Sequence, residues 1–205
     1  CRTVSIPLDA RYRVMKKLPA ILFLALLLGC DSNVPAYKLM ERNGIMHESG
    51  SQAPFTGRSV LHHDNGQLWA IKDFKDGKMN GLYESYEEDG QLIIRALYKD
   101  GEKHGLYEYY KNDGQPRFKQ YYKNGTMDGF AQGHYPTGQI GTTSYYEDGE
   151  LHGLFTLFYK NGSIKRKVNY TDGYEDGLQT TFDTNGGATK QCFRTGEQVD
   201  MSKCK

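Results

Sequence analysis

From Gly57 onward the chain repeats itself every 24 residues, and six segments align: 57–80, 81–104, 105–128, 129–152, 153–176 and 177–200. The second and third read GLYESYEEDGQLIIRALYKDGEKH and GLYEYYKNDGQPRFKQYYKNGTMD. Position 1 of the repeat is Gly57, Gly81, Gly105, Gly129, Gly153 and Gly177. Position 10 is Gly66, Gly90, Gly114, Gly138, Gly162 and Gly186, and position 21 is Gly77, Gly101, Gly125, Gly149 and Gly173. In the last segment Gly196 comes one residue early, a single deletion. Three glycine columns held in phase make each segment one supersecondary unit that buries its surface against its neighbours.

The residues before the glycines say what the unit is. Position 9 is Asn65, Asp89, Asp113, Thr137, Asn161 and Asn185; position 20 is Asp76, Asp100, Asn124, Asp148 and Asp172. Asn-Gly and Asp-Gly read as two-residue hairpin turns whose central residues both take positive φ. Between them stand strand-forming runs such as LIIRALY and LFTLFY. The expectation is an all-β fold, an elongated antiparallel β-hairpin repeat stacked as a single sheet over 57–200. A half-repeat or cap at 45–56 precedes it and a tail at 201–205 follows. Pro116 and Pro136 should make their strands irregular or edge-like, because proline cannot donate to a ladder.

Mean hydropathy is −0.71, yet the chain holds 16 Tyr. Such a chain must bury aromatic rather than aliphatic surface. Aromatic columns fall at position 6 (Tyr86, Tyr110, Phe158, Phe182) and position 18 (Phe74, Tyr98, Tyr122, Tyr146, Tyr170), and a leucine column at position 2. Strand alternation puts positions 3 and 6 on opposite faces. Tyr83 and Tyr107 then share one face, and Tyr86 and Tyr110 the other. With Phe155 and Phe158 they are the candidate binding residues, one set buried in the fold and the other open to a partner.

The N-terminal region has its own logic. Lys16 and Lys17 precede eleven apolar residues, 18–28, and then Gly29-Cys30. A bilayer-spanning helix needs about 20 residues, so 15–29 reads as a secretory signal, with 1–14 an upstream, non-native start and 30–44 a tether and linker. The junction Leu27-Leu28-Gly29-Cys30 resembles the bacterial lipobox. That resemblance implies cleavage before Cys30, lipidation of its thiol, and a lipid-anchored protein of the bacterial cell envelope facing the periplasm. Outside the cytoplasm a cysteine pair usually forms a disulfide, so Cys192 and Cys204 are expected to join and to cap the last repeat.

The stretch YKDGEKHGLYEYY (98–110) resembles the MORN repeat in its bacterial variant, found in the YwqK-type antitoxin family. The resemblance covers about 45–200. It implies a stack of hairpins that binds proteins or membranes as a scaffold.

No residue pattern announces a reaction. His104 and His152 occupy position 24, where Asn80, Asp128 and Asp176 also stand, so they read as polar groups bonding a turn. Neither HExxH nor GxSxG occurs, and no glycine-rich loop precedes a helix. No catalytic residue, metal or cofactor is therefore expected. A net charge of +1 offers no field for nucleic acid. The expected function is a membrane-tethered, non-enzymatic scaffold with a protein partner and a lipid anchor at Cys30. The alternatives are an immunity-type protein neutralising an envelope-acting toxin, and a glycan-binding or envelope-processing accessory.

Overall fold

The computed structural model describes residues 33–111 and 113–204. Cys30, the apolar run before it and segment 1–14 lie outside the described residues. The chain enters through β1 (Val34–Pro35), a 3-10 turn (Ala36–Lys38), and a hairpin of β2 (Leu39–Arg42) and β3 (Ile45–Glu48). The repeats supply β4 (Gly57–His62), β5 (Leu68–Lys75), β6 (Lys78–Tyr86), β7 (Leu92–Lys99), β8 (Glu102–Tyr110) and β9 (Pro116–Lys123). They continue through β10 (Thr126–His134), β11 (Ile140–Glu147), β12 (Glu150–Leu151), β13 (Gly153–Phe158), β14 (Ile164–Thr171) and β15 (Tyr174–Glu175). The last are β16 (Gly177–Phe182), β17 (Ala188–Arg194) and β18 (Glu197–Val199). Sixteen of the strands form one sheet in the order β1-β4-β5-β6-β7-β8-β9-β10-β11-β13-β14-β16-β17-β18, with β12 against β11 and β15 against β14. From β4 onward it is an antiparallel meander; β1 joins parallel to β4.

The two glycine turns of each repeat are different, which corrects the sequence reading. At positions 20–21 both residues have positive φ, as in Asp100 (53°) and Gly101 (96°), and Lys99 pairs directly with Glu102. This is the two-residue hairpin turn expected. At position 10 only the glycine is left-handed (Gly90, 87°). There the Gly90 N–H donates to Glu87 O (2.9 Å) and the Glu87 N–H to Gln91 O (2.8 Å), closing a longer loop. That pattern is a type I turn followed by a left-handed residue. Position 9 prefers Asn or Asp for another reason: its side chain caps the loop. Asp89 Oδ1 accepts from the Gln91 N–H at 2.9 Å, and Asn65, Asp113 and Asn161 do the same. The prolines follow suit. Pro116 is the first residue of β9, and Pro136 lies second in the turn closed by Gly138 N–H to Tyr135 O, a position that favours proline. Neither disturbs a strand interior.

Each of the first five repeats is interrupted by two bulges. Ser85 pairs with Ile94 but Tyr86 with Leu92, so Ile93, at position 13, has no partner. Trp69, Arg117, Gly141 and Lys165 are the same bulge in other repeats. The sixth hairpin runs in straight register from Gly177↔Phe193 to Phe182↔Ala188. The residue deleted from the last repeat is therefore the bulge residue. At the second bulge, Asn80, Gly81 and Leu82 oppose the single residue Asp73. A Cβ on Gly81 would lie 3.0 Å from Asp73 Cβ, one on Gly105 3.3 Å from Leu97 and one on Gly129 3.3 Å from Tyr121. With φ between 97° and 116° at these three sites, position 1 needs glycine for space and for conformation.

Backbone bonds join successive repeats along the row of position-21 turns. The Gly101 N–H donates to Met79 O (2.8 Å), Gly125 to Lys103 O (2.9 Å) and Gly149 to Met127 O (2.8 Å). The opening segment completes the row: Gly77 N–H reaches Phe55 O (2.7 Å) and Asp76 N–H reaches Thr56 Oγ1 (2.9 Å). Buried Phe55 packs on Phe74 with ring centroids 5.8 Å apart. Residues 34–44, read from sequence as tether, hold β1, the 3-10 turn and β2. At the other end Cys192 and Cys204 form a disulfide, Cα–Cα 5.7 Å.

Candidate functional site

Cross-strand register sorts the side chains onto two faces. Positions 1, 3, 5, 14, 16 and 18 share the first, since Gly81 pairs with Tyr98, Tyr83 with Ala96 and Ser85 with Ile94. Its centre is small and fully buried: Ala96 and Val168 have no exposure, and Ser59 1%. Aromatic rings flank that centre. Tyr83 meets Tyr98 edge-on (6.1 Å), Tyr107 meets Tyr122 (5.9 Å), and Phe155 meets Tyr170 (6.0 Å). Lys103 Nζ sits 4.3 Å from the Tyr107 ring centroid and 4.9 Å from that of Tyr122. Burial raises the pKa of Tyr98, Tyr107 and Tyr122, as expected for phenols held neutral among rings.

The second face carries positions 2, 4, 6, 15 and 17. A polar row runs along it. The Tyr86 hydroxyl donates to Glu84 Oε2 (2.6 Å), and Arg95 Nε donates to Glu84 Oε1 (2.8 Å). Lys119 Nζ lies 2.7 Å from Glu108 Oε1, and Tyr110 also donates to Glu108. Both carboxylates are buried. Burial alone would raise the Glu108 carboxyl, but its bonds from Lys119 and Tyr110 outweigh that and lower it. In the fourth repeat His134 replaces the tyrosine; burial lowers its pKa, and its Nδ1 is buried without a hydrogen-bond partner.

Beside the polar row runs an apolar stripe built from positions 2 and 17. The pairs are Leu82/Leu97, Leu106/Tyr121 and Phe130/Tyr145, followed by Leu154 opposite Asn169 and Leu178 opposite Cys192. Leu97 is 44% exposed, Tyr121 44%, Tyr145 50%, Leu154 43% and Leu178 37%. In the first repeat the same two positions hold an ion pair, Arg58 to Asp73 at 2.6 Å, whose guanidinium lowers the Asp73 carboxyl. The stripe thus begins after that pair and ends against the disulfide. It crosses ten strands, roughly 40 Å at ordinary strand spacing.

The candidate residues read from sequence divide as alternation predicts, Tyr83, Tyr107 and Phe155 on the first face and Tyr86 and Tyr110 on the second. Each of these tyrosines is half-buried, as are Phe155 and Phe158. The structure brings Tyr107 into a ring cluster with Tyr122 and Phe118 and ties Tyr86 and Tyr110 to carboxylates. The openly exposed apolar residues of the stripe are instead Leu97, Tyr121 and Tyr145 at position 17 and Leu154 and Leu178 at position 2. The position-17 column mixes Asp, Leu, Tyr, Asn and Cys, so it does not stand out by type; counting one residue back from the tyrosines of position 18 would have found it. His104 and His152 do bond turns, but turns of the following repeat: His104 Nδ1 is 3.2 Å from Asn124 Oδ1, and His152 Nδ1 is 3.6 Å from Asp172.

Three stretches of the chain, 79–100, 103–124 and 151–172, match the family described as the MORN repeat variant. Each begins just before a position-1 glycine and ends at the next position-20 residue, so the matched unit is one position-10 hairpin with its flanking bulge. The chain is similar to MORN-repeat proteins through these stretches. No curated protein matches it significantly. A solved structure titled "Crystal structure of GtfA/B complex bound to UDP and GlcNAc" matches at 11% identity and a TM-score of 0.24. The match covers 80% of this chain and 27% of that one.

Proposed function

We propose that this chain is a lipid-anchored, non-enzymatic scaffold of the bacterial cell envelope, tethered at Cys30, that holds a protein partner along its apolar stripe. The stripe is the observation that carries the reading. Contiguous exposed apolar surface is uncommon on a monomer and marks interaction surfaces, and rings with a polar tip such as Tyr121 and Tyr145 are favoured at interface centres. The similarity to MORN repeats supports a scaffold, and the Lys-Lys, apolar, Gly-Cys layout supports the anchor. The test uses the full chain in bacteria, with a photo-crosslinking amino acid at position 121, 145 or, as control, exposed Lys165. Discrete adducts from 121 and 145, absent from 165 and lost on Leu97→Ser with Leu154→Ser, are the expected result. Monomer-sized protein from all three positions overturns the reading. Palmitate labelling that persists in Cys30→Ser overturns the anchor alone.

A further inference from the structure

The first face contains a gap that the repeat pattern makes visible. One cross-strand row reads Tyr109, Phe118, Gly133, Thr142, Leu157, Arg166, each residue paired with the next on the neighbouring strand. Phe118 stacks on Tyr109 with centroids 5.2 Å apart and planes 29° apart. On its other side the row holds Gly133, where neighbouring repeats have Tyr109 and Leu157. Around it is a notch of about 270 Å³, lined by Phe118, Leu157 and Thr142 together with Arg117, His134 and Tyr135. Gly141 is a second departure, at the bulge position, where an added Cβ would lie 3.5 Å from the Tyr135 ring. Gly133 is not in a left-handed conformation; a Cβ there would stand 2.7 Å from Thr142 Oγ1, so it is the close approach of the Thr142 hydroxyl that calls for glycine, and that hydroxyl floors the notch.

We propose that this notch is a binding site for one aromatic side chain presented by a peptide segment of a partner protein. The slot at Gly133 is one strand wide, about 4.8 Å, close to the spacing of stacked rings in the same row. A ring placed there continues the Tyr109–Phe118 stack on the open side of Phe118, with the offset geometry aromatic pairs favour. The size fits, since an apolar cavity of about 150 Å³ already holds a benzene. The exposed Arg117 guanidinium gives one long bond from Nη1 to His134 O (3.5 Å) and has further planar donors that a peptide carbonyl or carboxylate beside the ring would accept. The notch shares no lining residue with the stripe, so it stands or falls independently of the stripe's partner.

The probe is N-acetyl-tyrosinamide titrated into the mature chain, followed by amide chemical shifts, with N-acetyl-cyclohexylalaninamide as the non-aromatic control. Saturable upfield shifts centred on Gly133, Gly141 and Thr142 are expected from the tyrosine probe, at least tenfold stronger in affinity than for the control. Gly133→Leu should abolish them. If that variant fails to fold, Phe118→Leu serves instead, keeping the volume and removing the ring; the aromatic preference should vanish with it. No localised shifts, equal affinity for the two probes, or binding unchanged in the folded variant overturns the proposal.

Discussion

Tyr86 shows how much one side chain couples on the second face. Its hydroxyl is pushed up to about 12, first by burial and then by its bond to Glu84, whose negative charge opposes a phenolate. The folded value lies above the ordinary 10, so the neutral form is the one the fold favours. Its contribution to stability is complete below pH 10 and is lost as pH rises from about 10 to about 12. Tyr98, Tyr107, Tyr110, Tyr122 and Tyr170 shift the same way, so the protein should lose stability steeply over that range. Tyr86→Phe should flatten part of that loss and lower the midpoint at pH 8, since buried Glu84 Oε2 loses the hydroxyl that bonds it, at a cost of about 1–3 kcal/mol, read by urea denaturation at a series of pH values.

At the scale of the element, the two glycine turns differ in what surrounds them. Gly66 and Gly77 both have positive φ, but a Cβ on Gly66 meets nothing within 4 Å, while one on Gly77 falls 2.3 Å from Ile45 and 2.8 Å from Met46 O. Gly66→Ala should therefore cost only the backbone strain, about 1 kcal/mol. Gly77→Ala adds a clash with the entry hairpin and should cost about 2–4 kcal/mol, measured by thermal melting. The repeat, its strands and its hairpins were legible because Asn-Gly and Asp-Gly punctuate a fixed period. The difference between the turns was not, because both use the same dipeptide; it depends on whether the strands flanking the turn close in a two-residue or a longer loop. The bulges were also invisible, since an unpaired residue at position 13 has no type preference of its own.

For the molecule as a whole, neighbour-only contacts make stability local. The last repeat lacks its bulge residue and is fastened by the disulfide, with Arg194 bonded to Asp176 (2.6 Å) and to Lys203 O (2.9 Å). Closing a loop between residues twelve apart in sequence stabilises by about 3 kcal/mol in the chain-entropy estimate. Cys204→Ser should lose roughly that amount, and hydrogen exchange should place the loss in β16–β18, fading by β11. Uniform loss across all the repeats would show that the stack is not modular. The candidate surface was only partly legible at this scale. Alternation sorted Tyr83 from Tyr86 correctly, but which residues stay uncovered depends on the position-1 bulge. There three residues pass opposite position 17, whose side chain covers the glycine yet keeps its outer side in solvent, as Leu97 does over Gly105.

A stack of equal units has a degeneracy: a partner that recognises two adjacent repeats could bind one unit up or down with the same contacts. The unpaired bulge residue removes it. Successive repeats are two strands apart, so position 13 sets out Trp69, Ile93, Arg117, Gly141 and Lys165 along one margin at a pitch of about 10 Å. No cross-strand partner dictates what stands there, and the residue changes from each repeat to the next. Each adjacent pair is a different two-letter word, which, with the differing pairs of the stripe, tells one unit of the stack from the next.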